Sequence, residues 1–146
     1  MLINHRTIRI EWGDCDPAGI VYFPRYFEIF DACTVALFER AGFRKREMLQ
    51  SFGTAGIPLV DIKSRFMIPS RFGDDVAVES SVTEWGNSSF IVRHRLMKDG
   101  AVAVECFETR VWVARAADDA ERFESRPIPA EVKEKFAATA AAERGN

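Results

Sequence analysis

The sequence predicts an α+β fold: a curved antiparallel sheet wrapped around one long apolar helix. Three observations predict it. Residues 25–41 read as a helix that is apolar over most of its circumference, which requires burial. Four stretches with alternating patterns follow between residues 59 and 115, joined mostly by tight turns. No repeat or linker divides the 146 residues, so one domain is expected over 1–146.

Each element has its own signal. Residues 7–12 alternate, with Ile8, Ile10 and Trp12 on one face and Thr7, Arg9 and Glu11 on the other, as in a half-buried strand. Residues 13–19 form a loop, in which Asp16 precedes Pro17 and is biased towards extended backbone. Pro24 suits the first turn of the long helix and Gly42 its C-cap. A short helix is expected over 44–52. Strands follow at 59–68, 75–85, 89–98 and 101–115, with Asp99-Gly100 as a hairpin turn. Residues 116–126 read as a polar loop. The alanine-rich stretch from about 128 to 146 has little apolar face beyond Val132 and Phe136, and is expected to be a peripheral, frayed helix. A lone sheet over a helix leaves edges bare, so pairing with a second copy is expected.

Composition excludes several classes. A net charge of −2 and a pI near 5.8 argue against a nucleic-acid binder. Cys15, Cys33 and Cys106 lack metal-ligand spacing, and an odd count reads as free thiols. No apolar run is long enough to span a membrane, and the first residues lack the apolar core of a signal peptide, so a cytoplasmic protein is expected. No metal or cofactor is implied. There is no nucleophile elbow, P-loop or dinucleotide fingerprint.

Asp16 is the leading chemical candidate. It sits shortly before the N-terminus of the long helix, whose first N–H groups lack partners and carry partial positive charge. A carbonyl docked there would be polarised, and a carboxylate alongside could attack it or activate water. The bland alternative is that Asp16 caps a turn, as Asp often does before Pro. Asp14 fits a bracing role, and Cys15 reads as structural. Asp31 falls off the charged stripe of Arg25, Glu28, Glu39 and Arg40, beside Phe27, Val35 and Phe38. There it needs a partner or a ligand pocket. His94 shares a strand face with Phe90, Val92 and Leu96 and reads as a satisfied core or interface histidine. Glu105 and Glu108 lie on the last long strand, and either could form an acid–base pair with His94.

The run Gly13-Asp14-Cys15-Asp16-Pro17-Ala18-Gly19-Ile20-Val21-Tyr22 strongly resembles the signature of the 4-hydroxybenzoyl-CoA thioesterase family, hotdog-fold hydrolases of the Pseudomonas type. The resemblance continues at Pro24, Tyr26, Asp31 and Ala32, through residues 56–60, and at Glu84-Trp85, Ser89-Phe90, Arg93 and His94. It implies a hotdog fold and hydrolysis of an acyl-CoA thioester. Asp16 matches the catalytic carboxylate, acting as nucleophile or general base, and the Phe23 backbone N–H matches the group that polarises the carbonyl. Asp31 matches the acid beside the ring hydroxyl. Tyr22, Phe27 and Thr54 are expected to contact substrate. The family's arginine-rich turn after Glu-Trp is Gly86-Asn87-Ser88 here, which leaves Ser88, Ser89, Arg71 and Arg93 as candidates for holding CoA. A homodimer assembling to a homotetramer is expected. The expected activity is hydrolysis of an aromatic, 4-hydroxybenzoyl-like CoA thioester; the alternatives are an aliphatic acyl-CoA thioesterase or a hotdog module that binds acyl thioesters without cleaving them.

Overall fold

A computed structural model describes residues 1–145 of the chain. It is organised on α1 (Pro24–Arg40), entered through Pro24 at the first helical position. One face of α1 is buried, through Tyr26, Phe30, Cys33, Thr34, Leu37 and Phe38. The opposite flank, with Phe27 and Val35, is only half-buried. The expectation of burial all round is therefore met on one face and left open on the other.

The sheet that receives this helix has five strands: β1 (Asn4–Arg9), β2 (Leu59–Phe66), β3 (Asp75–Trp85), β4 (Ser89–Lys98) and β5 (Ala101–Val111). Their order is β1-β3-β4-β5-β2, with every pair antiparallel. Alternation turns Val78, Val82, Phe90, Val92, Leu96, Val104 and Cys106 towards the helix. The edge strand β2 is mostly exposed, including Leu59, Val60 and Phe66.

Four expectations are corrected. The first strand ends at Arg9, and Trp12 is 77% exposed. The alternation breaks because the Glu11 N–H donates to Asp14 Oδ2 at 2.8 Å and starts a one-turn 3-10 helix. The last long strand breaks at Trp112, whose N–H donates to Ser88 O and whose carbonyl accepts from the Arg126 N–H. The chain then forms a small hairpin of β6 (Val113–Arg115), the end of the expected strand, with β7 (Phe123–Ser125), inside the stretch expected to be loop. The fourth correction concerns the C-terminal helix α3 (Ala130–Arg144), which docks instead of fraying. Val132, Phe136 and Ala140, spaced i, i+4, i+8, form a narrow buried stripe. Phe136 meets Phe38 and Trp85 edge-on at 5.0 and 5.1 Å between ring centroids. Residue 146 lies outside the described residues. The helix α2 (Lys45–Phe52) ends at Gly53, and only Met48 is fully buried from it.

The apolar core falls into two clusters. One, around Ile10, Tyr26, Phe30, Leu96 and Val104, underlies the loop before α1. The other, around Phe38, Phe90, Trp112, Val132 and Phe136, lies at the far end. Between them runs a layer of buried polar side chains: Thr34, Ser80, His94 and Glu108.

Candidate active site

The loop between β1 and α1 is tied down at several points. Asp16 N–H donates to Ile20 O and Gly19 N–H to Asp16 O, while Val21 N–H donates to Ser70 O. Gly19 turns with φ +79°, a conformation that a side chain would strain. Asp16 Oδ1 accepts from the Ala18 N–H at 2.9 Å, so the carboxylate does cap its own turn. Among the described residues Oδ2 has no donor, which leaves one oxygen anchored and the other available. Asp14 braces the loop: its Oδ2 takes Glu11 N–H and its carbonyl takes Tyr22 N–H. Cys15 is half-buried, with Sγ 3.8 Å from Glu11 O.

Phe23 is the N-cap of α1, and among the described residues its N–H has no acceptor. Its ring meets Phe27 edge-on at 6.2 Å, so Phe23, Phe27 and Asp31 form an i, i+4, i+8 ridge. A groove of about 500 Å³ follows the Phe27–Asp31 part of this ridge and is not lined by Phe23. Its lip on α1 is Pro24, Phe27, Glu28 and Asp31; β2 gives Leu59 and Ile62, and Glu108 and Arg110 form the floor. A second cavity of about 330 Å³ adjoins it, sharing Asp31, Leu59 and Arg110, and is otherwise walled mainly by apolar residues such as Val35, Phe38, Met48, Leu49 and Ile57. Asp16 lines neither cavity.

Asp31 is not buried as its place on the wheel suggested, yet it has a partner. Its Oδ1 accepts from Arg110 Nη2 at 2.8 Å; Asp31 is largely exposed, while the Arg110 side chain is only 7% exposed. Arg110 also donates from Nε to Glu108 Oε2 at 2.7 Å and from Nη1 to Ile57 O at 3.2 Å. Glu108 Oε2 takes the Thr34 hydroxyl at 3.0 Å. The Thr34 proton is thus used, so Thr34 Oγ1 accepts from His94 Nε2 at 3.2 Å, and His94 Nδ1 accepts from Ser80 Oγ at 2.7 Å. Phe30 stacks on the His94 ring at 4.9 Å. Burial alone would raise the Glu108 pKa, but His94, with Nε2 3.5 Å from Oε2, and the Arg110 guanidinium outweigh it and hold the group down to about 2. Burial opposes the Arg110 charge too, yet Glu108 and Asp31 keep it protonated. Burial first, then Glu108, pushes the Cys106 thiol up to about 12, and burial also raises Cys33, so neither buried cysteine is a ready nucleophile.

Other candidates fall elsewhere. Arg71 lies beside the Asp16 loop: a Cβ at Gly19 would come 3.8 Å from its Nη1. Ser88 and Ser89 follow β3, whereas the Asp16 loop packs on the residues before it. Roughly 30 Å of strand separates the two ends. Arg93 sits on the outer face near Glu105 at 3.8 Å. One chain therefore does not bring Ser88, Ser89 or Arg93 to Asp16. Tyr22 is exposed and lines neither cavity. Thr54 is buried, lines neither cavity, and its hydroxyl donates to Val113 O at 2.7 Å. Arg110 was missed as a site residue because charges in an alternating strand are read as outward. Its register, in step with Val104 and Cys106, was the available signal. Among the described residues no group of three or more His, Cys, Asp or Glu is arranged to hold a metal, and no helix is long and apolar enough to cross a membrane.

Residues 10–136 match the sequence profile of the thioesterase-like superfamily. The 4-hydroxybenzoyl-CoA thioesterase of Pseudomonas sp. strain CBS-3 is 33% identical, over 84% of this chain and 89% of its own length. Its crystal structure superposes with a TM-score of 0.84 at 29% identity, covering 91% of this chain and 98% of that one. An aspartate-to-asparagine variant of that enzyme, complexed with 4-hydroxybenzoyl-CoA, matches equally well, at a TM-score of 0.84. A gentisyl-coenzyme A thioesterase superposes at 0.77 with 31% identity, covering 92% of this chain and 99% of that chain. These neighbours share the hotdog fold expected from the sequence. This chain is an acyl-CoA thioesterase, and it belongs to the thioesterase-like superfamily.

Proposed function

We propose that this thioesterase hydrolyses aromatic acyl-CoA esters carrying a ring hydroxyl, of the 4-hydroxybenzoyl type. The observation that carries this is the groove along α1, which runs from Pro24, next to the Phe23 N-cap, to Asp31. Eight residues of helix separate Phe23 from Asp31, about 12 Å of axial rise. That length suits one benzoyl ring with a hydrogen-bonded oxygen at each end. The thioester carbonyl docks on the Phe23 N–H, where the helix dipole favours developing negative charge. The ring lies along Phe27, with Tyr22 at the rim, and its hydroxyl meets Asp31.

Asp16 supplies the chemistry through its available Oδ2. As nucleophile, that oxygen bonds to the carbonyl carbon, the C–S bond breaks and CoA leaves as thiolate. Water then cleaves the acyl-aspartyl anhydride, returning the carboxylate and releasing the acid. As general base, the same oxygen removes a proton from the attacking water. Arg71, beside the loop, is placed to meet a CoA phosphate. Ser88, Ser89 and Arg93 can join this site only from a second copy. The bare outer edge of β2, with Val60 59% exposed, supports such pairing in a homodimer that assembles to a homotetramer. The mostly apolar second cavity favours the rival reading, an aliphatic acyl group.

Thiol release across a panel of aromatic and aliphatic acyl-CoAs separates them. The highest kcat/KM is expected for a hydroxybenzoyl ester. A preference for straight-chain acyl groups would transfer the proposal to the aliphatic class, and saturable binding without thiol release would make the protein a carrier.

A further inference from the structure

We infer that Arg110 is a specificity-determining residue which, together with Asp31, reads the ring hydroxyl in both hydrogen-bonding directions. This rests on the proposed groove, with the ring directed at Asp31. Arg110 has five N–H donors, of which Nε is used on Glu108, one Nη1 proton on Ile57 O and one Nη2 proton on Asp31. The two remaining protons have no acceptor among the described residues. The side chain is 7% exposed and lines both cavities, so a ligand in the groove is placed to accept them. Asp31 Oδ2 likewise has no donor among the described residues. An acceptor and a donor thus stand side by side where groove and inner cavity meet.

A hydroxyl satisfies both at once, since it carries one proton and two lone pairs. A ring amine offers mainly protons and serves Asp31 alone. A ring ether offers only lone pairs, serves Arg110 alone, and leaves the carboxylate facing carbon. A ring carboxylate is opposed: one positive charge on Arg110 stands between two negative ones, Glu108 and Asp31. The guanidinium is held in place by Glu108, which is itself fixed by Thr34 and adjoins His94. The fork therefore cannot swing aside to suit another substituent.

The test is kcat/KM for benzoyl-CoA and its 4-hydroxy, 4-amino, 4-methoxy and 4-carboxy derivatives, with wild type and Arg110→Lys. The wild type is expected to favour the 4-hydroxy ester over the 4-amino and 4-methoxy esters by about tenfold each, one charge-assisted hydrogen bond, and to handle the 4-carboxy ester worst. In Arg110→Lys, the hydroxy-to-amino ratio should fall towards one. A wild type that treats 4-amino and 4-hydroxy alike, both above unsubstituted, shows Asp31 reading alone and overturns the inference while sparing the proposed function. An undiminished hydroxy-to-amino ratio in the lysine variant also overturns it. Failure of the whole aromatic panel removes the proposed function, and the inference with it. The wild-type comparison stands even if the variant does not fold.

Discussion

Arg110 Nε lies 2.7 Å from Glu108 Oε2, and both side chains are almost fully buried. With His94, this pair makes Glu108 one contributor to the acid stability of the molecule. Glu108 has a folded pKa of about 2 against an ordinary 4.5. The depressed value means that its stabilising contribution is complete above pH 4.5 and is lost as pH falls towards 2. It amounts to on the order of 3 kcal/mol. Glu108→Gln should flatten that part of the stability curve, as followed by urea denaturation between pH 2 and 6. Glu108→Ala leaves Arg110 buried without its main partner and should cost about 3–5 kcal/mol at neutral pH.

Replacing Asp16 with Asn removes the charge but keeps an oxygen for the Ala18 N–H. Thiol release should fall on the order of 10⁴-fold, while the folded circular dichroism spectrum and the affinity for acyl-CoA persist. Turnover near the wild-type level would transfer the chemistry to another group.

Asp31→Ala should lower kcat/KM for 4-hydroxybenzoyl-CoA about 10- to 100-fold and for benzoyl-CoA far less, because only the first presents a hydroxyl to the missing carboxylate. Equal losses on both esters would strip Asp31 of a ring-reading role.

Arg71 projects beside the Asp16 loop with no acidic partner among the described ion pairs. Arg71→Ala should raise KM several-fold with little change in kcat, and added salt should shrink the difference. An effect confined to kcat would place Arg71 in the chemistry instead of the CoA grip.

Phe136 fastens α3 to Phe38 and Trp85. Phe136→Ala should destabilise the protein by about 3–4 kcal/mol in chemical denaturation. A loss well under 1 kcal/mol would mean that the helix adds little to the core.

Local features were legible in the sequence. The Asp16 loop, Pro24 and the succession of strands are fixed by neighbours a few residues away, so a one-dimensional pattern carries them. The oddity of Asp31 was also visible, because a helical wheel needs no other element. Its partner was not: Arg110 lies 79 residues along the chain, and Glu108 meets Thr34 across 74. Such pairings emerge only when β5 is set in register against α1. The docking of α3 was hidden by its alanines, although Val132, Phe136 and Ala140 do mark one stripe. The scatter of Ser88, Ser89 and Arg93 away from Asp16 has the same origin: proximity in a motif does not say which end of an 11-residue strand a turn will occupy.

The polar layer of Thr34, Ser80, His94 and Glu108 divides the core into halves that reach completion at different moments of synthesis. The half beneath Asp16 draws its buried side chains from residues no later than Cys106. The other half needs Ile128, Val132, Phe136 and Ala140. On a ribosome, the end that carries the Asp16 loop therefore has its whole packing set while α3 is still being translated. Until that helix is made, Phe38, Trp85 and Phe90 lack its cover, so the last aromatic contacts of the core wait on the final residues to be translated.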